Sequence, residues 1–155
     1  MTQLRRAAIV SPIRTGVGKF QGALSSMQAG DLGAIVLKEL VKRTKIDPGK
    51  IDDVIFAQGY PSGEAPCVAR WSALAADLPI TVPGYQLDRR CGSGLQSIVD
   101  AAMFVQTGAA AHVVGIVFDV GHALDAAGDH NVRSSCLDEH GGVDDRLQAR
   151  AAAAV

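Results

Sequence analysis

Cys91-Gly92-Ser93-Gly94-Leu95-Gln96 follows a short extended segment and opens a helical pattern. The nucleophilic form of cysteine is the thiolate, and the positive end of a helix dipole favours it. Gly92 and Gly94 keep side chains off the approach to the sulfur. A buried structural cysteine is the bland alternative. The glycines and the strand-to-helix junction instead favour Cys91 as a catalytic nucleophile. Cys67 falls inside a helical pattern with no base near it in sequence, and packing is its expected role. Cys67, Cys91 and Cys136 are widely spaced without a CxxC pair, which argues against a disulfide framework or zinc. A reducing cytoplasm is the expected setting.

Other chemistry-bearing residues are less specific. His112, His122, His130 and His140 all lie after residue 110. The last three, with Asp125, Asp129 and Asp138, lack the spacing of a metal-ligand set, so no metal is expected. Thr15-Gly16-Val17-Gly18-Lys19-Phe20-Gln21-Gly22 is rich in glycine, but the GxxxxGK[ST] spacing of a phosphate loop is missing.

The elements that must position Cys91 alternate along the chain. Ala7-Ala8-Ile9-Val10, stopped by Ser11-Pro12, reads as a first strand. Asp31 can cap a helix with Leu32, Ile35, Val36 and Leu40 at helical spacing, and Lys42, Arg43 and Lys45 suit its C-terminal end. Val54-Ile55-Phe56-Ala57 reads as a second strand after the turn at Asp47-Pro48-Gly49. Cys67 to Ala76 reads as a second helix, with Val68, Trp71 and Leu74-Ala75 on one side. Tyr85-Gln86-Leu87 is the third strand. The third helix runs from Gly92 to Thr107 with Leu95, Ile98, Val99 and Ala102 on one face, and Gly108 stops it. The order β-α-β-α-β-α predicts an α/β fold, a parallel or mixed sheet with helices packed on it.

Bulk properties narrow the function classes. With 155 residues and 48% hydrophobic content the chain can bury a core. A net charge of −1, with Arg5-Arg6 and Arg89-Arg90 as isolated doublets, gives no footprint for nucleic acid or an anionic membrane. No apolar stretch is long enough to span a bilayer. The N-terminal apolar run is too short for a signal-peptide core.

Three stretches, in order, resemble the thiolase family. Arg14-Thr15-Gly16-Val17-Gly18-Lys19-Phe20 is similar to the family's opening Arg-Thr-Pro-x-Gly-Lys-Phe loop, with Gly16 in place of the usual proline. Ala69-Arg70 and the helix after it resemble the segment before the active-site strand. Leu87-Asp88-Arg89-Arg90-Cys91-Gly92-Ser93-Gly94-Leu95 resembles the nucleophile motif. Ketoacyl synthases share the fold and a helix-capping cysteine, but the first loop and the Cys-Gly-Ser-Gly context favour thiolase. The resemblance covers residues 7 to about 110 and implies an incomplete thiolase N-terminal half-domain. It also implies that Cys91 takes an acyl group from a coenzyme A thioester, the substrate, in a Claisen condensation or in thiolysis, with no bound cofactor. Intact members are dimers or tetramers, and this chain carries little of that interface scaffold. The family's Gly-His-Pro histidine and its second cysteine, in Cys-x-Gly-Gly, do not occur in these 155 residues. The competing reading is a non-catalytic remnant or pseudogene product, with apolar surface that would bury against the rest of a subunit.

Residues 111–155 read differently from 1–110. The family continues with a buried strand and an Ala-Gly-Gly-x-Glu-Ser-Met-Ser loop, whereas this chain turns polar after Phe118. Set residues 155 back to 133 against 88 to 110, and each of the 23 consecutive pairs permits reverse-complementary codons. Val155 opposes Asp88, Ala152 opposes Cys91, His140 opposes Met103 and Arg133 opposes Ala110; Val132 with Ala111 fails. Ala127 back to Gly121 complements Gly-Gly-Val-Glu-Ser-Met-Ser. The expectation is a family-like unit over 1–110, then a tail over 111–155 read from the opposite strand of a thiolase gene. Such a tail, never selected for a fold, is expected to be partly disordered.

Overall fold

The computed structural model describes residues 4–19, 21–61 and 65–118. The elements are α1 (Ala29–Thr44), β1 (Asp53–Gln58), α2 (Val68–Ala75), β2 (Gly84–Leu87), α3 (Ser93–Thr107) and β3 (Val113–Phe118). The three strands form a parallel sheet in the order β2-β1-β3, with Val54 opposite Gly84 and Val114. The α/β expectation holds, with the parallel arrangement rather than the mixed one.

One expected strand is missing and one unexpected strand is present. Ala7 to Val10 form no strand, and Ile9 and Val10 are more than half exposed. A strand exists only where a sheet edge accepts its backbone groups. This segment is instead tied to the end of α3, where the Arg5 N–H donates to the Gln106 carbonyl at 3.0 Å. β3 lies past residue 110, in the stretch expected to be a tail. Its β-branched run Val113-Val114-Gly115-Ile116-Val117 suits a strand covered on both faces, as the burial of residues 113 to 116 shows. Asp52 fastens its start: the carboxylate accepts the backbone N–H groups of Ala111 at 2.7 Å and His112 at 2.9 Å. Those two bonds, His112 first, hold the Asp52 carboxyl below the usual range. The clasp is therefore present above the ordinary carboxylate pKa and is lost as pH falls through the lowered one.

β1 is the spine of the core. Val54 and Phe56 face α1 and α2, packing with Leu37, Val68 and Ala73, while Ile55 faces α3 with Ala101 and Val113. The close approach of α1 to α2 depends on small residues. A Cβ at Gly33 would lie 2.5 Å from Ser72 Oγ and 2.6 Å from the Phe56 ring, and one at Gly30 would collide with the Trp71 indole. Ser72 Oγ then reaches the Gly30 carbonyl at 2.9 Å across that contact. For this reason Ile35, expected inward, is 48% exposed, and Leu37 is fully buried in its place. Asp31 lies within the first turn of α1 rather than capping it; Gln28 is the N-cap residue.

α3 departs further from its expected orientation. Ser93, Ser97 and Ala101 face the sheet, while Leu95 is 70% exposed and Val99 and Met103 also face outward. Small residues bring the helix close to the strands, so its larger apolar side chains are left on the far side.

Candidate active site

Cys91 lies where β2 ends and α3 begins. Arg90, Cys91 and Gly92 form a single 3-10 turn, and α3 starts at Ser93. The cysteine is exposed, and both it and Cys67 are thiols. This places Cys91 at the carboxyl ends of the parallel strands, where open α/β sheets bind ligands, in the turn just ahead of a 15-residue helix.

The turn is secured by side chains on both sides of the sulfur. Ser93 Oγ accepts the Arg89 N–H and donates to the Arg90 carbonyl, both at 2.7 Å. Sequence reading passed over this serine, although serine hydroxyls commonly bond nearby backbone groups at turns. Arg90 adopts φ +49, in the left-handed region. Its N–H donates to Asp88 Oδ1 at 2.9 Å, and its guanidinium bonds the Asp88 carboxylate. A positive φ at an arginine leaves no mark in a sequence.

The two glycines turn out to do different things. A Cβ at Gly94 would meet Val117 Cγ1 at 2.7 Å, so this glycine lets the first turn of α3 rest on β3. At Gly92 the nearest atom to such a Cβ is Arg89 Cδ at 3.8 Å. A side chain at Gly92 would therefore meet Arg89 at ordinary contact distance, whereas Gly94 serves packing.

Behind the turn, a polar chain ties α3 to β2. Arg89 bonds the Gln96 amide oxygen, Gln96 donates to Asp100 at 2.6 Å, and the Tyr85 hydroxyl donates to Asp100 at 3.3 Å. Burial, then the Asp100 charge, pushes the Tyr85 hydroxyl up to about 12. Tyr85 thus stays protonated at neutral pH and offers no base. His112 precedes β3, at the opposite end of the sheet from Cys91; five strand steps separate those ends by roughly 16 Å. Cys67 stands at the N-cap position of α2 without a side-chain capping bond, and its thiol donates to the Gly84 carbonyl at 3.5 Å. His122, His130, His140, Asp125, Asp129 and Asp138 lie outside the described residues.

Comparison with known proteins supplies the lineage. The family described as "Thiolase, N-terminal domain" matches residues 7–121. The chain belongs to the thiolase family. The thiolase match runs past residue 110 and takes in the whole of β3. An acetyl-CoA acetyltransferase of Escherichia coli (strain K12) is 40% identical over 111 residues, 72% of this chain and 28% of the relative. A steroid 3-ketoacyl-CoA thiolase of Mycobacterium tuberculosis is 41% identical over 112 residues, again 72% and 28%. The crystal structure of the Bacillus anthracis acetyl-CoA acetyltransferase superposes with a TM-score of 0.70 at 37% identity, over 74% of this chain and 29% of that one. The chain thus spans under a third of the length of these thiolases. Among the described residues, no helix is long and apolar enough to cross a membrane.

Proposed function

We propose that this chain carries the acyl-accepting part of a thiolase-type acyltransferase. The Cys91 thiolate attacks the carbonyl of a coenzyme A thioester or a 3-ketoacyl-CoA. A carbon–sulfur bond to Cys91 forms as the bond to the leaving thiol, or to the α-carbon of departing acetyl-CoA, breaks. The leaving group takes up a proton. A second thioester or free coenzyme A then removes the acyl group from Cys91. The observation that carries this reading is the exposed cysteine in the turn that opens α3.

Completing the cycle needs a base, an oxyanion site and an acid for the leaving group. The Gly-His-Pro and Cys-x-Gly-Gly motifs that would supply them are not among these residues. Acting alone, the polypeptide is a stranded nucleophile: it becomes acylated at Cys91 without sustained turnover. Incubation with acetoacetyl-CoA, followed by mass analysis of the Cys91 peptide, tests the first step. An acetyl adduct that disappears in Cys91→Ser supports the reading. No adduct on the folded chain supports the non-catalytic remnant. A cytoplasmic setting and a homo-oligomer belong to the same family reading.

We infer further that the end of the chain is read from the opposite strand of the same gene. The 23 codon-compatible pairs between 88–110 and 133–155 support this. A shift of one codon extends the pairing, because His112, Val113 and Val114 can complement Val132, Asn131 and His130; Gly115 with Asp129 cannot. The forward thiolase reading then continues through Val114, which covers the first two residues of β3 and part of the family match beyond residue 110. The fold-back point falls after Val114, inside or beyond β3. Sequencing native DNA across codons 88 to 155 is expected to show complementary codons at these pairs, and mismatches at several of them would defeat the inference.

A further inference from the structure

β2, which delivers the chain to Cys91, is a four-residue strand at an edge of the sheet, half-buried throughout. An edge strand this short is a weak support for a reactive atom, because it is paired on one side only. The turn after it is nevertheless fastened to the central strand. Arg90 Nη1 donates to the Gly59 carbonyl at 2.6 Å, just past the end of β1. Its guanidinium lies over the Tyr60 ring, 4.8 Å from the centroid. The backbones also touch: a Cβ on Gly59 would lie 3.1 Å from the Arg90 carbonyl oxygen. Asp88 completes the arrangement by holding both the Arg90 N–H and its guanidinium.

We propose that Arg90 is a positioning residue for Cys91, clamping the nucleophile's turn to the end of β1. This rests on the reading of Cys91 as the acyl acceptor and adds how that atom is aimed. The left-handed φ at Arg90 is unfavourable for a side-chain-bearing residue, and the contacts to Gly59, Tyr60 and Asp88 hold it there. The Asp88 carboxylate offsets the guanidinium charge, so Arg90 acts on Cys91 through geometry. A clamped turn keeps the sulfur in line with the N–H groups at the head of α3, where thiolate formation is favoured.

The test is alkylation of the full chain by iodoacetamide from about pH 6 to about pH 9, a range that spans the ordinary thiol pKa. Cys91 and Cys67 are quantified on separate peptides. Arg90→Met is expected to move the Cys91 pH profile upward and to slow its alkylation at neutral pH about tenfold, the effect of one pKa unit. Cys67 should keep its rate. Arg90→Lys keeps a charge without the planar fork and should fall between the two. An unchanged Cys91 profile in folded Arg90→Met overturns the proposal. Should that variant lose its circular-dichroism signature, Tyr60→Leu decides: an upward shift supports the clamp and an unchanged profile overturns it. Wild-type Cys91 reacting no faster than Cys67 overturns the nucleophile reading itself, and it does so before any variant is compared.

Discussion

Gly94→Val is expected to destabilise the chain by about 2 kcal/mol and to slow Cys91 alkylation together with it. A Cβ at this position already meets Val117 Cγ1 at 2.7 Å, and valine adds two further methyl groups. α3 must lift off β3 to make room, and Cys91 is attached to the end that lifts. A glycine in a helix is by itself unfavourable by about 1 kcal/mol relative to alanine, so part of the cost is returned by better helix propensity. Gly92→Ala is the control, since its Cβ would find nothing nearer than 3.8 Å; its stability should change by less than about 0.5 kcal/mol. Urea midpoints measure both. Adding Val117→Ala to the Gly94 variant should recover much of the loss, because the two sites share one contact.

The second large effect separates the two described cysteines. Cys91 is exposed ahead of α3, whereas Cys67 is half-buried with its thiol turned to the Gly84 carbonyl. Iodoacetamide at neutral pH is expected to modify Cys91 at least about tenfold faster, as access and thiolate character act in the same direction. Peptide-resolved mass spectrometry reads the ratio. Equal rates would remove the physical basis for assigning Cys91 a catalytic role.

Much of this arrangement is legible in the sequence because it is local. Cys91-Gly92-Ser93-Gly94 after Tyr85-Gln86-Leu87 announces a strand-to-helix junction, and the structure places the cysteine there. Val54 to Ala57 is a continuous apolar run and becomes the buried spine of a parallel sheet. What the sequence conceals depends on partners far along the chain. The strand expected at Ala7–Val10 fails because a run of four apolar residues does not say whether an edge will receive it. The face of α3 is misread because Leu95 and Val99 look like core residues, while Ser93, Ser97 and Ala101 win the sheet by being small. The Arg90 clamp spans 31 positions to Gly59 and uses a backbone angle no residue type announces. β3 is missed because the residues after Ala110 are set apart as a tail, although the β-branched run from Val113 suits a strand and the family match continues through it.

Cys91 is proposed as a thiolase nucleophile whose catalytic partners are not supplied by these residues. The most direct measurement is the consumption of acetoacetyl-CoA in the presence of coenzyme A by the purified chain, compared with Cys91→Ser. No sustained consumption above the variant is expected, while the Cys91 peptide of the wild type should carry an acetyl group. Continuous turnover that vanishes in Cys91→Ser would contradict this, because the chain would then complete the cycle without the Gly-His-Pro and Cys-x-Gly-Gly groups.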